Sequence, residues 1–202
     1  MAAQGQLPTS PKFSSVNLKT IDPTIVTTAS SGRRQVKTQN TQFWSMSITY
    51  PTMTRSEWSP IAAFIMEQRG ARFPFTVVLP EYSTTQGALA TQTVTVNGAH
   101  SAGDTTIVLA ESASASISNA LKAGDFIKFA NHNKVYMVVA DMSFSSGAAT
   151  VTIEPGIVVD VPSTTAVTYK DVPFTVYLTD DTEWSLGLAS TVGYELELRE
   201  AL

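Results

Sequence analysis

Cysteine is absent from this 202-residue chain. A disulfide framework, a thiolate metal site and a cysteine nucleophile are therefore excluded. Charge is scarce as well: Asp, Glu, Lys and Arg make up 15% of the residues, and 13 basic against 17 acidic side chains leave a net charge of −4. That balance lacks the broad basic footprint of a sequence-specific nucleic-acid binder. No apolar run approaches the roughly 20 residues that a bilayer requires, so no membrane partner is expected. The opening residues, MAAQGQLPTSPKF, lack a basic stretch followed by an apolar one, and no secretory signal is expected.

Catalytic and cofactor signatures are missing too. There are two histidines, His100 and His132, both in predicted turns among small polar residues. No serine stands in a G-x-S-x-G elbow, and neither histidine carries a local signature. Neither phosphate-cradle pattern occurs, so Gly103-Asp104 and Gly124-Asp125 read as hairpin turns. Asp180, Asp181 and Glu183 cluster, but without the spacing or central glycine of a calcium loop. The expectation is no catalytic residue, no metal and no cofactor.

What is present is an apolar fraction of 43% distributed in short alternating segments, enough to bury a core without staples. The best-defined stretch runs from Phe43 to Pro80. Trp44, Met46, Ile48 and Tyr50 alternate with Phe43, Ser45, Ser47 and Thr49, which predicts a half-buried strand ending at Pro51. Trp58, Ile61, Ala62, Ile65 and Met66 then fall on one helical stripe. Thr54 and Glu57 form a capping-box pattern, while Ser59 before Pro60 offers a second start. A loose first turn, a regular helix from about Ser59 and a stop at Gly70 are expected. Residues 73–79 read as the next strand, and the pattern P-F-T-V-x-L returns at 173–178, with a final amphipathic strand through Val192, Tyr194, Leu196 and Leu198.

Between the two P-F-T-V-x-L strands the texture changes. Residues 81–91 have linker composition, and short strands follow at 93–96, 105–109, 125–130, 134–140, 149–154 and 164–169, punctuated by turn residues. The run 111–122 holds room for one helical turn near Ser118 to Lys122. The fold class is therefore mainly β, with one flanking helix and an inserted small all-β module: a discontinuous host domain of residues 1–90 plus 171–202, and an insert of residues 91–170. Residues 1–12 read as an arm, loose or docked on a neighbour.

Two charged groups are candidates for function. Arg33, Arg34 and Lys37 place three cations in five residues after the turn Ser30-Ser31-Gly32. They read as the solvated rim of a hairpin, or as a contact with an acidic neighbouring subunit or with phosphate in a channel lumen. Asp180, Asp181 and Glu183 read as an acidic loop, or as the counter-charge for those cations across a subunit seam. Tyr82, Tyr136 and Phe144 are considered as a sugar platform.

The run Trp44-x-Met46-x-Ile48-x-Tyr50-Pro51, then Thr54, Trp58, Ile61, Phe64, Arg69-Gly70, Phe73-x-Phe75 and Leu79-Pro80, resembles phage tail proteins of the distal-tail and baseplate-hub type. Ala123-Gly124-Asp125-Phe126, Lys134-Val135-Tyr136 and Asp171-x-Pro173-Phe174 resemble a module seen in such proteins. The resemblance implies a tail-tube-like β-sandwich or barrel and assembly into a ring, usually sixfold. It also implies contacts with other tail and baseplate proteins and non-specific passage of DNA through the lumen. The protein would be a virion tail component made in the host bacterial cytoplasm, and not an enzyme. Alternatives are the tail-tube subunit itself and, from a different class, a carbohydrate- or receptor-binding module.

Overall fold

The computed structural model describes residues 4–38, 41–179 and 192–202. Its contacts divide the chain into two compact units, Met1–Thr76 with Val176–Leu202, and Val77–Thr175. In chain order the elements are β1 (Ser15–Ile21), β2 (Thr24–Thr28), β3 (Arg34–Thr38), β4 (Phe43–Met53), α1 (Arg55–Gln68) and β5 (Phe75–Val78). Then come β6 (Val94–Val96), β7 (Thr106–Glu111), β8 (Ile117–Leu121), β9 (Phe126–Phe129), β10 (Val135–Val138) and β11 (Met142–Phe144). The chain closes with β12 (Ala148–Glu154), β13 (Ala166–Thr168), β14 (Pro173–Leu178) and β15 (Val192–Glu200).

The first unit is built on a five-stranded sheet of order β1-β4-β15-β14-β5. β4 is its longest strand and pairs antiparallel with both β1 and β15. Trp44, Met46, Ile48 and Tyr50 are buried, as their alternation predicts. Pro51 does not end the strand, contrary to expectation. It lies beyond the last pair with β1, Ser15↔Thr49, and opposite a register shift between Val192 and Tyr194, so its missing N–H falls where the ladder is already interrupted.

Helix α1 begins at the first of the two possible starts. Thr54 is the N-cap, and its N–H donates to the Glu57 carboxylate at 2.9 Å. Pro60 therefore sits inside the helix and removes one internal bond. A proline there costs roughly 3 kcal/mol, whereas each large apolar side chain fully buried contributes about 1.5–3 kcal/mol. Burial of Trp58, Ile61 and Ile65 outweighs the loss. Two further expectations change. Met66 is 63% exposed on the shoulder of the stripe, and Gln68 takes a buried place instead, its amide donating to Phe64 O at 3.2 Å. The helix stops on Arg69, in the left-handed region at φ 53°, one residue before Gly70.

The second unit contains a closed barrel of order β10-β12-β7-β6-β13-β9, whose six strands occupy the six predicted segments. Its interior is filled by alternating residues such as Val96, Ile107, Leu109, Ile127, Phe129 and Val151. The helical turn considered near Ser118 to Lys122 is instead β8, paired with β11. Ala120 and Leu121 are buried there, and tertiary burial overrides local propensity. The stretch 81–91 is no free linker either: Leu89 is buried in the barrel core, and Ala88 and Leu89 donate to Asn119 O and Ala120 O. Two buried carboxylates pin loops by accepting paired backbone N–H groups, Asp125 from Gln86 and Lys122, and Glu111 from Ala113 and Ala115.

Candidate functional site

The segment between β1 and β4 folds as a separate two-stranded ribbon, β2 with β3. Its register pairs Ile25 with Lys37, Val26 with Val36, and Thr28 with Arg34. One face thus carries Val26 and Val36, and the other carries Ile25 beside Lys37. The turn is closed by Ala29 N–H to Arg33 O at 3.0 Å and Gly32 N–H to Ala29 O at 2.8 Å, with Gly32 at φ 79°. That left-handed conformation is where glycine is favoured.

All five residues of β2 are exposed. Ile25, Val26 and Val36 keep about half their surface in water, at 50%, 47% and 54%. Arg33, Arg34 and Lys37 stand on the same ribbon and are exposed, with no ion-pair partner among the described residues. Among the described residues, the ribbon therefore combines half-exposed aliphatic side chains with cations that have no ion-pair partner. Asp180, Asp181 and Glu183 lie outside the described residues.

Of the aromatic residues considered for sugar binding, Tyr136 is fully buried and Phe144 is 2% exposed. Tyr82 is 40% exposed and stands edge-on to Phe126 at 5.0 Å. Burial in the barrel removes two of the three rings, so they form no shared platform.

Both histidines hold structural hydrogen bonds. His100 Nε2 accepts from Val108 N–H at 3.1 Å. His132 sits in a directed chain: Asn131 donates to Asp160 O, so its amide oxygen faces His132 Nδ1 at 2.9 Å. His132 Nδ1 must then carry the proton, and Nε2 accepts from the Tyr136 hydroxyl at 2.7 Å. The Tyr136 oxygen in turn accepts from Val158 N–H at 3.1 Å. Burial first, then the charges of Lys128 and Lys134, push His132 down to about 4. Among the described residues, no group of three or more His, Asp or Glu could hold a metal ion.

The sequence reading missed two features that define the exposed surface. One is that β1 forms an edge of the sheet; the other is that the N-terminal arm is docked on the opposite edge of its own chain. Alternation in 15–21 marks a strand but does not say which strands lie beside it.

The described residues thus form a sheet with a flanking helix, a closed barrel and a separate two-stranded ribbon. Comparison with known proteins gives the class: the chain belongs to the phage distal tail proteins. The family model for the N-terminal part of the A domain of distal tail protein pb9 matches residues 6–82, and the model for that protein's B domain matches residues 82–172. Distal tail protein pb9 of Escherichia phage T5 is 24% identical over 193 residues, covering 94% of this chain and 92% of the relative. The protein is thus a structural component of a phage tail.

Proposed function

We propose that copies of this chain assemble into a closed ring that joins or initiates the tail tube at the distal tip. The observation that carries this reading is the β2–β3 ribbon. An isolated two-stranded ribbon is marginally stable in water, and this one leaves Ile25, Val26 and Val36 half exposed on both of its faces. A second copy would cover them. Head-to-tail contacts of this kind are heterologous and close into a ring when the rotation permits, six copies in the arrangement the family resemblance implies. The cations Arg33, Arg34 and Lys37 would meet acidic groups of the neighbour, with Asp180, Asp181 and Glu183 as the candidates, and fix register more than affinity. The edge strand β1, seven residues long, would be covered in the same contact.

In this reading the host domain is residues 1–90 plus 171–202 and the insert is residues 91–170. The role is structural and not enzymatic, and no cofactor takes part. Other tail and baseplate proteins bind the faces of the ring, DNA passes non-specifically through its lumen, and the chain is made in the host bacterial cytoplasm. Light scattering tests the contact. The wild-type chain should give a multi-subunit mass, and the triple variant Arg33→Glu, Arg34→Glu, Lys37→Glu should shift it toward the monomer. An unchanged multi-subunit mass for the variant would remove the cations from the seam.

A further inference from the structure

The two edges of the five-stranded sheet differ. Among the described residues nothing pairs with the outer side of β1, whereas the outer side of β5 is occupied by the chain's own N-terminal arm. Gln4 N–H donates to Pro74 O at 2.7 Å, Leu7 N–H to Thr76 O at 2.8 Å, and Thr76 N–H to Gly5 O at 3.0 Å. Gln6 and Thr76 form a parallel bridge. The arm is anchored beyond its backbone: Leu7 is 1% exposed, and the Gln68 amide donates to Gln4 O at 3.4 Å.

The path of the next residues shows that this docking is built into the sheet. Tyr50, on the central strand β4, donates its hydroxyl to Pro8 O at 2.6 Å, and its ring meets Phe13 edge-on at 5.2 Å. Ser14 N–H then bonds Thr49 O, beside the start of β1. The chain thus passes from the β5 edge to the β1 edge. Residues 8–14 thus link the two edges by way of Tyr50 and Thr49 on β4, and so short a connection favours docking in cis.

We propose that residues 4–8 guard the β5 edge and confine self-association to the side of β1 and the ribbon. Without the arm, the N–H and C=O of Thr76 and the C=O of Pro74 would stand open, and a sheet with two open edges can add copies without limit. The restriction to the β1 side rests on the assembly reading above; the guarding of β5 does not.

The test compares the full chain with one that begins at Thr9, and with the same truncation carrying Thr76→Pro. Proline is tolerated on an edge strand and removes the N–H that an incoming strand would bond. The truncated chain should stay folded by circular dichroism, and its mass by light scattering should climb with concentration to about twofold or more above the full chain. Thr76→Pro should return it to the full chain's mass. A folded truncation with the full chain's mass overturns the proposal, as does growth that Thr76→Pro leaves unchanged. Loss of the fold on truncation also overturns it, because the arm would then be core rather than guard. A full chain that is monomeric throughout would refute the ring while leaving the comparison of the two truncations readable.

Discussion

Lowering the pH should destabilise the barrel through one side chain, His132. Protonating its Nε2 would aim an N–H at the Tyr136 oxygen, which already accepts from Val158 N–H, and the tyrosine proton would lose its acceptor. Lys128 and Lys134 add repulsion. The imidazole is held near 4 in the folded chain against about 6.5 when free. Fully desolvated, that gap corresponds to about 3 kcal/mol, and the half-buried ring reduces it to roughly 1–2 kcal/mol. The sign follows from proton uptake. Between about pH 6.5 and 4 the unfolded chain binds the proton and the folded chain does not, so stability is full above that window and is lost as pH falls through it. The assay is urea unfolding from pH 7.5 to 4 for the wild type and His132→Gln, which lacks the titrating group, so that carboxylate titrations common to both cancel. The wild type should lose roughly 1–2 kcal/mol more than the variant across this range. Parallel slopes, or a His132 proton resonance titrating near 6.5, would refute the reasoning.

Other outcomes follow from single contacts. Gly87→Ala drives a methyl into the Ala120 carbonyl, so it should force 86–89 away from β8 and cost roughly 1–3 kcal/mol in thermal unfolding. Thr54→Ala removes one half of the capping box and should cost roughly 1 kcal/mol of stability in denaturant unfolding. The Glu57 carboxyl, held low first by the Thr54 backbone N–H and then by the Thr54 side chain, should move part of the way up in an NMR titration of that variant. Tyr136→Phe leaves Val158 N–H and His132 Nε2 without their shared partner and should lower the barrel's urea midpoint by the equivalent of roughly 1–3 kcal/mol.

The strands were legible in the sequence because period-two alternation is a direct imprint of burial on one face. Trp44 to Tyr50 show it, and so do the six short barrel segments. The exceptions arose where a distant partner decides. Nothing local in Ser118 to Leu121 announces that β11 and the 86–89 stretch will cover it. Pro60 argued for a late helix start, yet the Thr54–Glu57 box and the burial of Trp58 carried the first turn. Met66 and Gln68 flank the same stripe, and only the docked arm, whose Gln4 carbonyl accepts from Gln68, shows why glutamine is buried and methionine is not. On the exposed ribbon, the sequence marked the cations at 33, 34 and 37. It could not show that Ile25, Val26 and Val36 share their ribbon without a core, because alternating apolar residues ordinarily signal burial within the same chain.

Negative-stain electron microscopy of the purified full-length chain tests the central claim most directly. The account predicts closed rings of uniform diameter built from several copies, six in the expected arrangement, that thin out when the ribbon cations are reversed. Single particles of monomer size at every concentration, with partner tail proteins present as well as absent, would contradict it.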